Sequence, residues 1–224
     1  MLKGLQLERV LKDNFYNMIS KVNTCMVGIV VNTDNLTDGF IDVLPLANNV
    51  IGDQSVEYPT LYYVPVVMPC TNSSAIVMPI EQGDTVLLVF SQRNIEEFKY
   101  GTKSVFDPTT SRMFDINDAI AIAGFNVSQE SIWNPNNYKS GYSPTSLKIT
   151  HNIGKDSECH IEMDNKGAIT AKSKTEINAD APVVNAKDIN IDGVGSVKQF
   201  MLNHTHKYTD DGNLLDTQIP NRGL

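Results

Sequence analysis

The sequence between Ser146 and Gly195 alternates apolar and polar residues in short runs, which are separated by turn residues such as DNKG. The apolar positions of this stretch are Leu147, Ile149, Ile161, Met163, Ile169, Ala171, Ile177, Ala179, Ile189 and Ile191. A period of two predicts β-strands that have one apolar face and one polar face. Each apolar face is only about two side chains long, so these strands cannot close a hydrophobic core within one chain.

A single ribbon of this kind would leave an apolar strip and two open strand edges in water, which proteins normally cover or pair. Several identical ribbons wound about a common axis would bury every strip in one narrow core and pair the edges. Three chains with one strip each meet this need. We therefore predict an intertwined trimeric β-helix or β-prism over residues 146–203.

The preceding residues predict a compact β-domain. A hydrophobic content of 41% in 224 residues is enough for one ordinary core and thin for two. From Thr24 to about Phe125, short runs rich in Val, Ile, Leu and Phe are separated by turn residues, as in CMVGIVV, DNLTDG and FIDVLPL. A turn at Gly83-Asp84 leads into a buried strand over Val86 to Phe90, and another strand ends near Gly124.

About five such strands predict an all-β fold, a small barrel of the OB-fold type over residues 24–127. Pro59, Pro65 and Pro69 lie in one of these runs and predict an irregular or edge strand, because proline cannot donate to a ladder.

Polar or amphipathic segments flank the barrel. Within residues 1–23, apolar residues recur at spacings of three and four from Leu7 to Val22, which predicts a short amphipathic helix. The helix could cover the barrel or contact a partner subunit. The polar segment 128–145 predicts a linker, with Trp133 as its anchor on the barrel.

Composition excludes several classes of function. A net charge of -8 makes nucleic acid an unlikely partner, because a phosphate-binding surface needs clustered Lys and Arg. Three widely spaced cysteines predict neither a disulfide framework nor a zinc knuckle. The sequence contains none of the common catalytic or phosphate-binding motifs, and Asp84 and Asp118 adjoin strand starts, where capping of turns is expected. We expect a protein that is not an enzyme and has no small-molecule substrate.

The candidate metal ligands are His204 and His206 in the stretch NHTH. In an extended chain, residues two apart share a face and lie about 6 to 7 Å from each other. One chain supplies two nitrogens, fewer than a closed zinc site or an octahedral site requires. A threefold axis beside this strand would assemble six imidazoles, which suits iron, nickel or cobalt better than tetrahedral zinc. The alternative is a solvated pair near the end of the chain, as we expect for the unpartnered His151 and His160 of the ribbon.

The order of these parts resembles the central spike proteins of contractile bacteriophage tails, the baseplate assembly protein V and membrane-piercing spike family. The resemblance rests on the barrel stretches IEQGDTVLLVF, QRNIEEF and DAIAIAGF, on the ribbon of short β-repeats, and on the final NHTHKYTDDGNLLDTQIPN. It covers most of the chain, and its most specific piece is the HTH stretch with the later Thr217 and Pro220.

The resemblance implies a homotrimer with an OB-fold base, a triple-stranded β-helix shaft over 146–203 and a tip over 204–224. It also implies one iron ion per trimer, shared by three chains, with His204 and His206 at the matching positions. The base would sit on the baseplate hub and tail tube. The tip, at the end of the baseplate in the virion, would face and pierce the host outer membrane.

Three other interpretations stay open at the level of sequence. A receptor- or carbohydrate-binding tail fibre protein could share the ribbon, although residues 146–203 contain only one aromatic residue, Phe200. A mononuclear metalloenzyme could use the two histidines with Asp210 or Asp211. The spike of a cellular contractile injection system would have the same sequence features as a phage spike.

Overall fold

The computed structural model describes residues 2–51, 54–101, 103–130, 134, 143, 145–205, 207–210 and 213–216. The chain divides into two compact units, residues 1–142 and 143–224. The predicted anchor Trp133 and most of the segment 128–145 lie outside the described residues.

The chain is mostly β-structure. The helices are α1 Leu2–Ile19, α2 Glu96–Tyr100 and α3 Val197–Asn203, with 3-10 turns at Leu36–Asp38 and Ile116–Asp118. The strands are β1 Cys25–Asn32, β2 Phe40–Pro45, β3 Asn49–Ile51, β4 Gln54–Val56, β5 Leu61–Val67, β6 Thr85–Phe90, β7 Ala119–Ala123, β8 Leu147–His151, β9 Cys159–Met163, β10 Ile169–Lys172, β11 Asn190–Ile191, β12 Gly195–Ser196, β13 Lys207–Asp210 and β14 Asn213–Asp216. No described helix has both the length and the apolar character needed to cross a bilayer.

Five strands of the first unit form a closed barrel in the order β1-β2-β5-β7-β6. Strand β1 pairs with both β2 and β6, which completes the ring. Neighbouring strands are antiparallel except for β5 and β7, which run parallel. The prediction of a small five-stranded barrel is confirmed, and the barrel is OB-fold-like.

The barrel core follows from the period of two in its strands. On β6 the side chains of Val86, Leu88 and Phe90 are buried, while Leu87 and Val89 between them are only partly buried. The buried apolar side chains of the barrel are Val30, Ile41, Val43, Leu61, Val64, Ile80, Val86, Leu88, Phe90, Ala119 and Ala121. Gly28 is required on β1, because a Cβ there would collide with Cγ1 of Val43.

The turn that precedes β6 has the predicted chemistry. Gly83 precedes β6 with a φ of 98°, a conformation that favours glycine. The carboxylate of Asp84 accepts a hydrogen bond of 2.8 Å from the backbone N–H of Glu81. Asp84 therefore caps the turn, as its position before a strand predicted.

The proline-containing strand β5 differs from its prediction in one respect. It is irregular as expected, since its register with β2 shifts between Ile41 and Val43 and Tyr63 has a φ of 53°. The prediction that it could be an edge strand is wrong, because β5 lies between β2 and β7. The barrel accommodates Pro65 because β5 pairs with β7 only at Val66 and Val67.

The predicted N-terminal helix is confirmed as α1, and its apolar stripe is exposed. Phe15 is 59% exposed and Met18 is 68% exposed. A hydrogen bond of 2.8 Å from the side chain of Asn23 to the carbonyl of Phe114 ties the end of this segment to the barrel. The interpretation of α1 as a cover for the barrel is wrong for the chain alone, and the partner-subunit alternative stays a prediction.

The second unit begins with a three-stranded antiparallel ribbon in the order β10-β9-β8. Its register aligns Leu147 with Met163 and Ile169, and Ile149 with Ile161 and Ala171. These six aligned residues form one face of the ribbon, here called the apolar strip. The strip is exposed in the chain, with Leu147 64% and Ile169 71% accessible. The predicted alternation is thus confirmed over residues 147–172.

The ribbon does not continue as regular strands. The described residues 173–189 contain no strand, although the alternation predicted strands near Ile177 and Ala179. A strand needs a neighbouring strand to pair with, and within the described residues none pairs with this segment. Two short hairpins, β11–β12 and β13–β14, flank α3 further along the chain.

We predict that Leu88→Ala will destabilise the barrel by about 3 kcal/mol, because it leaves a cavity in a fully buried site. Leu87→Ala is the matched control, since Leu87 is the neighbouring residue of the same type on the less buried face of β6. Chemical denaturation followed by fluorescence would measure both, and equal losses would contradict the assignment of the two faces.

Candidate metal centre

His204 lies directly after α3, and α3 is preceded in the chain by the hairpin β11–β12. Asn190 pairs with Ser196 and Ile191 pairs with Gly195 across this hairpin. Ser196 is the N-cap of α3, and its hydroxyl accepts a hydrogen bond of 3.0 Å from the N–H of Gln199. Serine is favoured at this position because its oxygen satisfies a backbone donor that the first helical turn leaves unpaired.

Asp188 adds a second cap from outside the helix. Its Oδ1 accepts from the N–H of Lys198 at 3.1 Å and from the N–H of Ile189 at 2.9 Å. Its Oδ2 accepts from the hydroxyl of Ser196. The pKa of Asp188 lies below its usual value. The main cause is the hydrogen bond from the hydroxyl of Ser196, and the next is the hydrogen bond from the N–H of Lys198.

The last turn of α3 fixes the imidazole of His204. Its backbone N–H donates to the carbonyl of Phe200 at 2.9 Å, and its ring stacks on that of Phe200 at a centroid distance of 5.6 Å. Nδ1 lies 3.1 Å from the carbonyl oxygen of Met201. Because a carbonyl oxygen only accepts, Nδ1 donates this hydrogen bond, and in a neutral ring the lone pair is then on Nε2. This is the tautomer in which histidines commonly bind metals, so His204 fits a metal through Nε2.

The second predicted ligand, His206, lies outside the described residues, as does Asp211. The backbone of His204 is extended, with φ −69° and ψ 143°, and β13 begins at Lys207. Within the part of the chain that is described, no group of three or more His, Cys, Asp or Glu side chains converges on a common point. The geometry of His204 with His206 therefore stays a prediction.

The other two histidines lie on paired strands of the ribbon. His151 pairs with Cys159 and His160 pairs with Thr150 within the ribbon. His151 is exposed and His160 is half-buried. Cys25, Cys70 and Cys159 are free thiols, in keeping with the absence of a disulfide pattern in the sequence.

A second cluster of polar residues lies on the barrel, next to α2. Asp118 is fully buried, and it accepts from Nε of Arg112 at 2.8 Å and from the N–H of Ile95 at 3.0 Å. Arg112 also donates to Glu96 at 2.9 Å. The pKa of Glu96 is lowered, mainly by its hydrogen bond with Arg112. The pKa of Arg112 is raised, mainly by its hydrogen bonds with Asp118.

This cluster ties the chain before α2 to the start of β7, and its carboxylates are engaged by Arg112 and backbone donors. Asp118 thus stabilises the loop that precedes a strand, a wider role than the local turn cap that the sequence predicted. No sequence pattern identified Arg112, because its partners Asp118 and Glu96 lie at spacings that match no motif.

Exposed aromatic rings cluster elsewhere on the barrel. Phe40 of β2 stacks on Tyr100 at a centroid distance of 5.9 Å and meets Tyr63 edge-on at 6.2 Å. Tyr63 is 48% exposed and Tyr100 is 66% exposed. The rings lie on the barrel, whereas a fibre that recognises its receptor with the ribbon would need them on the ribbon.

Residues 26–124 match a family model described as the phage protein Gp138 N-terminal domain. The matched range begins within β1 and ends directly after β7, so it coincides with the closed barrel. No curated protein matches the chain. The match covers less than half of the chain, and it shows that the barrel is similar to a domain of a phage protein.

We predict that Arg112→Ala will lower the free energy of unfolding of the barrel by about 3 kcal/mol, because it leaves the carboxylate of Asp118 buried without its cation. Arg112→Lys will recover only part of this loss, since an ammonium group cannot replace the two-pronged contact. Arg93→Ala is the control, because Arg93 is an exposed arginine in the segment between β6 and α2. Equal stabilities of the two alanine variants would show that the ion pair contributes little.

Proposed function

We propose that this protein is the central spike subunit of a contractile phage tail baseplate, a homotrimer that pierces the host outer membrane. The observation that carries the proposal is the apolar strip, whose six residues lie in register on one exposed face of the ribbon. The similarity of the barrel to a phage domain supports it independently.

The strip favours a multi-chain shaft for an energetic reason. Each large apolar side chain contributes about 1.5 to 3 kcal/mol when it passes from water into a core, so the strip represents several kcal/mol per chain. Three ribbons around one axis would bury all three strips together. The opposite face carries polar residues, including Lys148 and Glu162, whose charged groups lie 3.8 Å apart.

The tip would be closed by a metal ion shared by the three chains. His204 and His206 of each chain would supply six imidazole nitrogens, and one iron ion per trimer would join the three ends. The hydrogen bond from Nδ1 of His204 to the carbonyl of Met201 supports this assignment, because Nε2 is then the atom of the neutral ring that would bind a metal. Ligands from three chains make metal binding and assembly a single linked equilibrium.

The function of such a spike is mechanical, and the proposal includes no catalysis. Contraction of the tail would drive the spike forward, and a narrow rigid tip would concentrate force on the outer membrane. The barrel would form the base that contacts the baseplate hub and tail tube. A spike of a cellular contractile injection system remains the alternative with the same architecture.

We predict that the purified protein has a mass three times the chain's 24.8 kDa and that Ile169→Lys abolishes this assembly. The substitution places a charge in the proposed shared core. Thr170→Lys is the matched control, since Thr170 is the next residue of β10 and points to the polar face. Light scattering after size-exclusion chromatography measures the mass. A monomeric wild type, or equal effects of both lysines, would contradict the shaft.

We predict about one iron per three wild-type chains, and none when His204 and His206 are both replaced by alanine. Elemental mass spectrometry measures the content, and the thermal unfolding of the barrel reports whether the rest of the chain is intact. The control replaces His151 and His160 by alanine, which removes two imidazoles from the ribbon and should leave the iron content unchanged. Iron retained by the first double variant would exclude the proposed ligands.

A further inference from the structure

We infer that Asp188 is a positioning residue for the metal ligand His204, through the caps that it and Ser196 place on α3. The inference rests on the proposed function, because it concerns the same metal site. It assigns a role to a residue sixteen positions before the ligand, which no motif in the sequence connects to it.

The carboxylate of Asp188 joins three parts of the chain at one point. It accepts from the N–H of Ile189 at the start of the hairpin, from the hydroxyl of Ser196 at its end, and from the N–H of Lys198 in the first turn of α3. The hydroxyl of Ser196 in turn accepts from the N–H of Gln199. The backbone N–H of Val197 also donates to the carbonyl of Ile189 at 2.8 Å, so the helix start is held against the hairpin.

The helix depends on this support because it is short. α3 has seven residues, well below the length of about 12 to 15 residues at which isolated helices become even marginally stable. Its first turn contains no acidic residue and does contain Lys198, whose charge is unfavourable at a helix N-terminus. Asp188 supplies from outside the helix the negative charge that its first turn lacks.

The other end of the same helix holds the imidazole of His204. The ring stacks on Phe200, its Nδ1 donates to the carbonyl of Met201, and its backbone N–H donates to the carbonyl of Phe200. All three contacts require that the last turn of α3 is formed. In a helix of only two turns, loss of the N-terminal cap would unwind these carbonyls as well, and Nε2 would lose its fixed direction.

The test is the affinity of the full-length protein for ferrous iron, measured by competition with a chromophoric chelator under anaerobic conditions. We expect Asp188→Ala to weaken binding about 10- to 100-fold, the effect typical of residues that orient a metal ligand. Asp188→Asn should weaken it only a few-fold, because its side-chain oxygen can still accept from Ile189 and Lys198. Ser196→Ala should fall between wild type and Asp188→Ala.

The matched control is Asp192→Ala, which removes the same charge from the turn of the same hairpin. Within the described residues, the side chain of Asp192 makes no hydrogen bond. Circular dichroism, barrel unfolding and the mass in solution are measured on every variant. A weakened site in a folded trimer, graded from Asn to Ala at position 188, supports a positioning role.

The outcomes separate this inference from the proposed function. If wild-type protein binds no iron, the proposed metal site and this inference are both overturned, and the mass in solution still decides the trimeric shaft of the proposed function. If wild type binds iron and Asp188→Ala binds as tightly as Asp192→Ala, the positioning role is wrong and the metal site stands. If Asp188→Ala does not assemble into trimers, the iron affinities of Asp188→Asn and Ser196→Ala test the positioning role instead. Wild-type iron affinity in both of these variants would overturn the inference.

Discussion

The pairing of strand edges is the constraint on which the rest of this molecule depends. The barrel meets it within one chain, because β1 is hydrogen-bonded to β2 on one side and to β6 on the other. Closure lets the alternating residues of five strands share one buried core, in which Val43, Val86 and Leu88 have no exposed surface. The ribbon β8–β10 does not satisfy this constraint. Within the described residues, no strand other than β9 pairs with its outer strands β8 and β10, and its apolar strip is exposed.

This contrast explains why the two units have different energetics. The barrel carries its own stabilising core, so substitutions such as Leu88→Ala act on one chain. The ribbon has a regular register but an exposed apolar strip, so the association proposed above would supply the burial that it lacks. The described segment 173–189 extends the same argument, because it forms no strand and leaves Val183 and Val184 exposed.

The sequence predicted the features that depend on local periodicity. The alternation in TVLLVF and the turn at Gly83-Asp84 were enough to identify β6, and the alternation from Leu147 identified the ribbon. It did not predict α3, since seven residues are too few for a helical period to stand out, nor the ion pair of Arg112 with Asp118, which depends on tertiary contacts. His204 was identified by its spacing from His206, but the residues that orient it are distant in sequence.

The orientation of His204 within a single chain bears on how such a tip would assemble. A ligand whose ring is already stacked on Phe200 and whose Nδ1 is already bonded to Met201 loses little further side-chain freedom when it binds a metal. More of the binding free energy is then left to hold three chains together. A short helix capped by Asp188 and Ser196 provides this rigidity at the point where the ribbon has ended, and where strand pairing no longer fixes the chain.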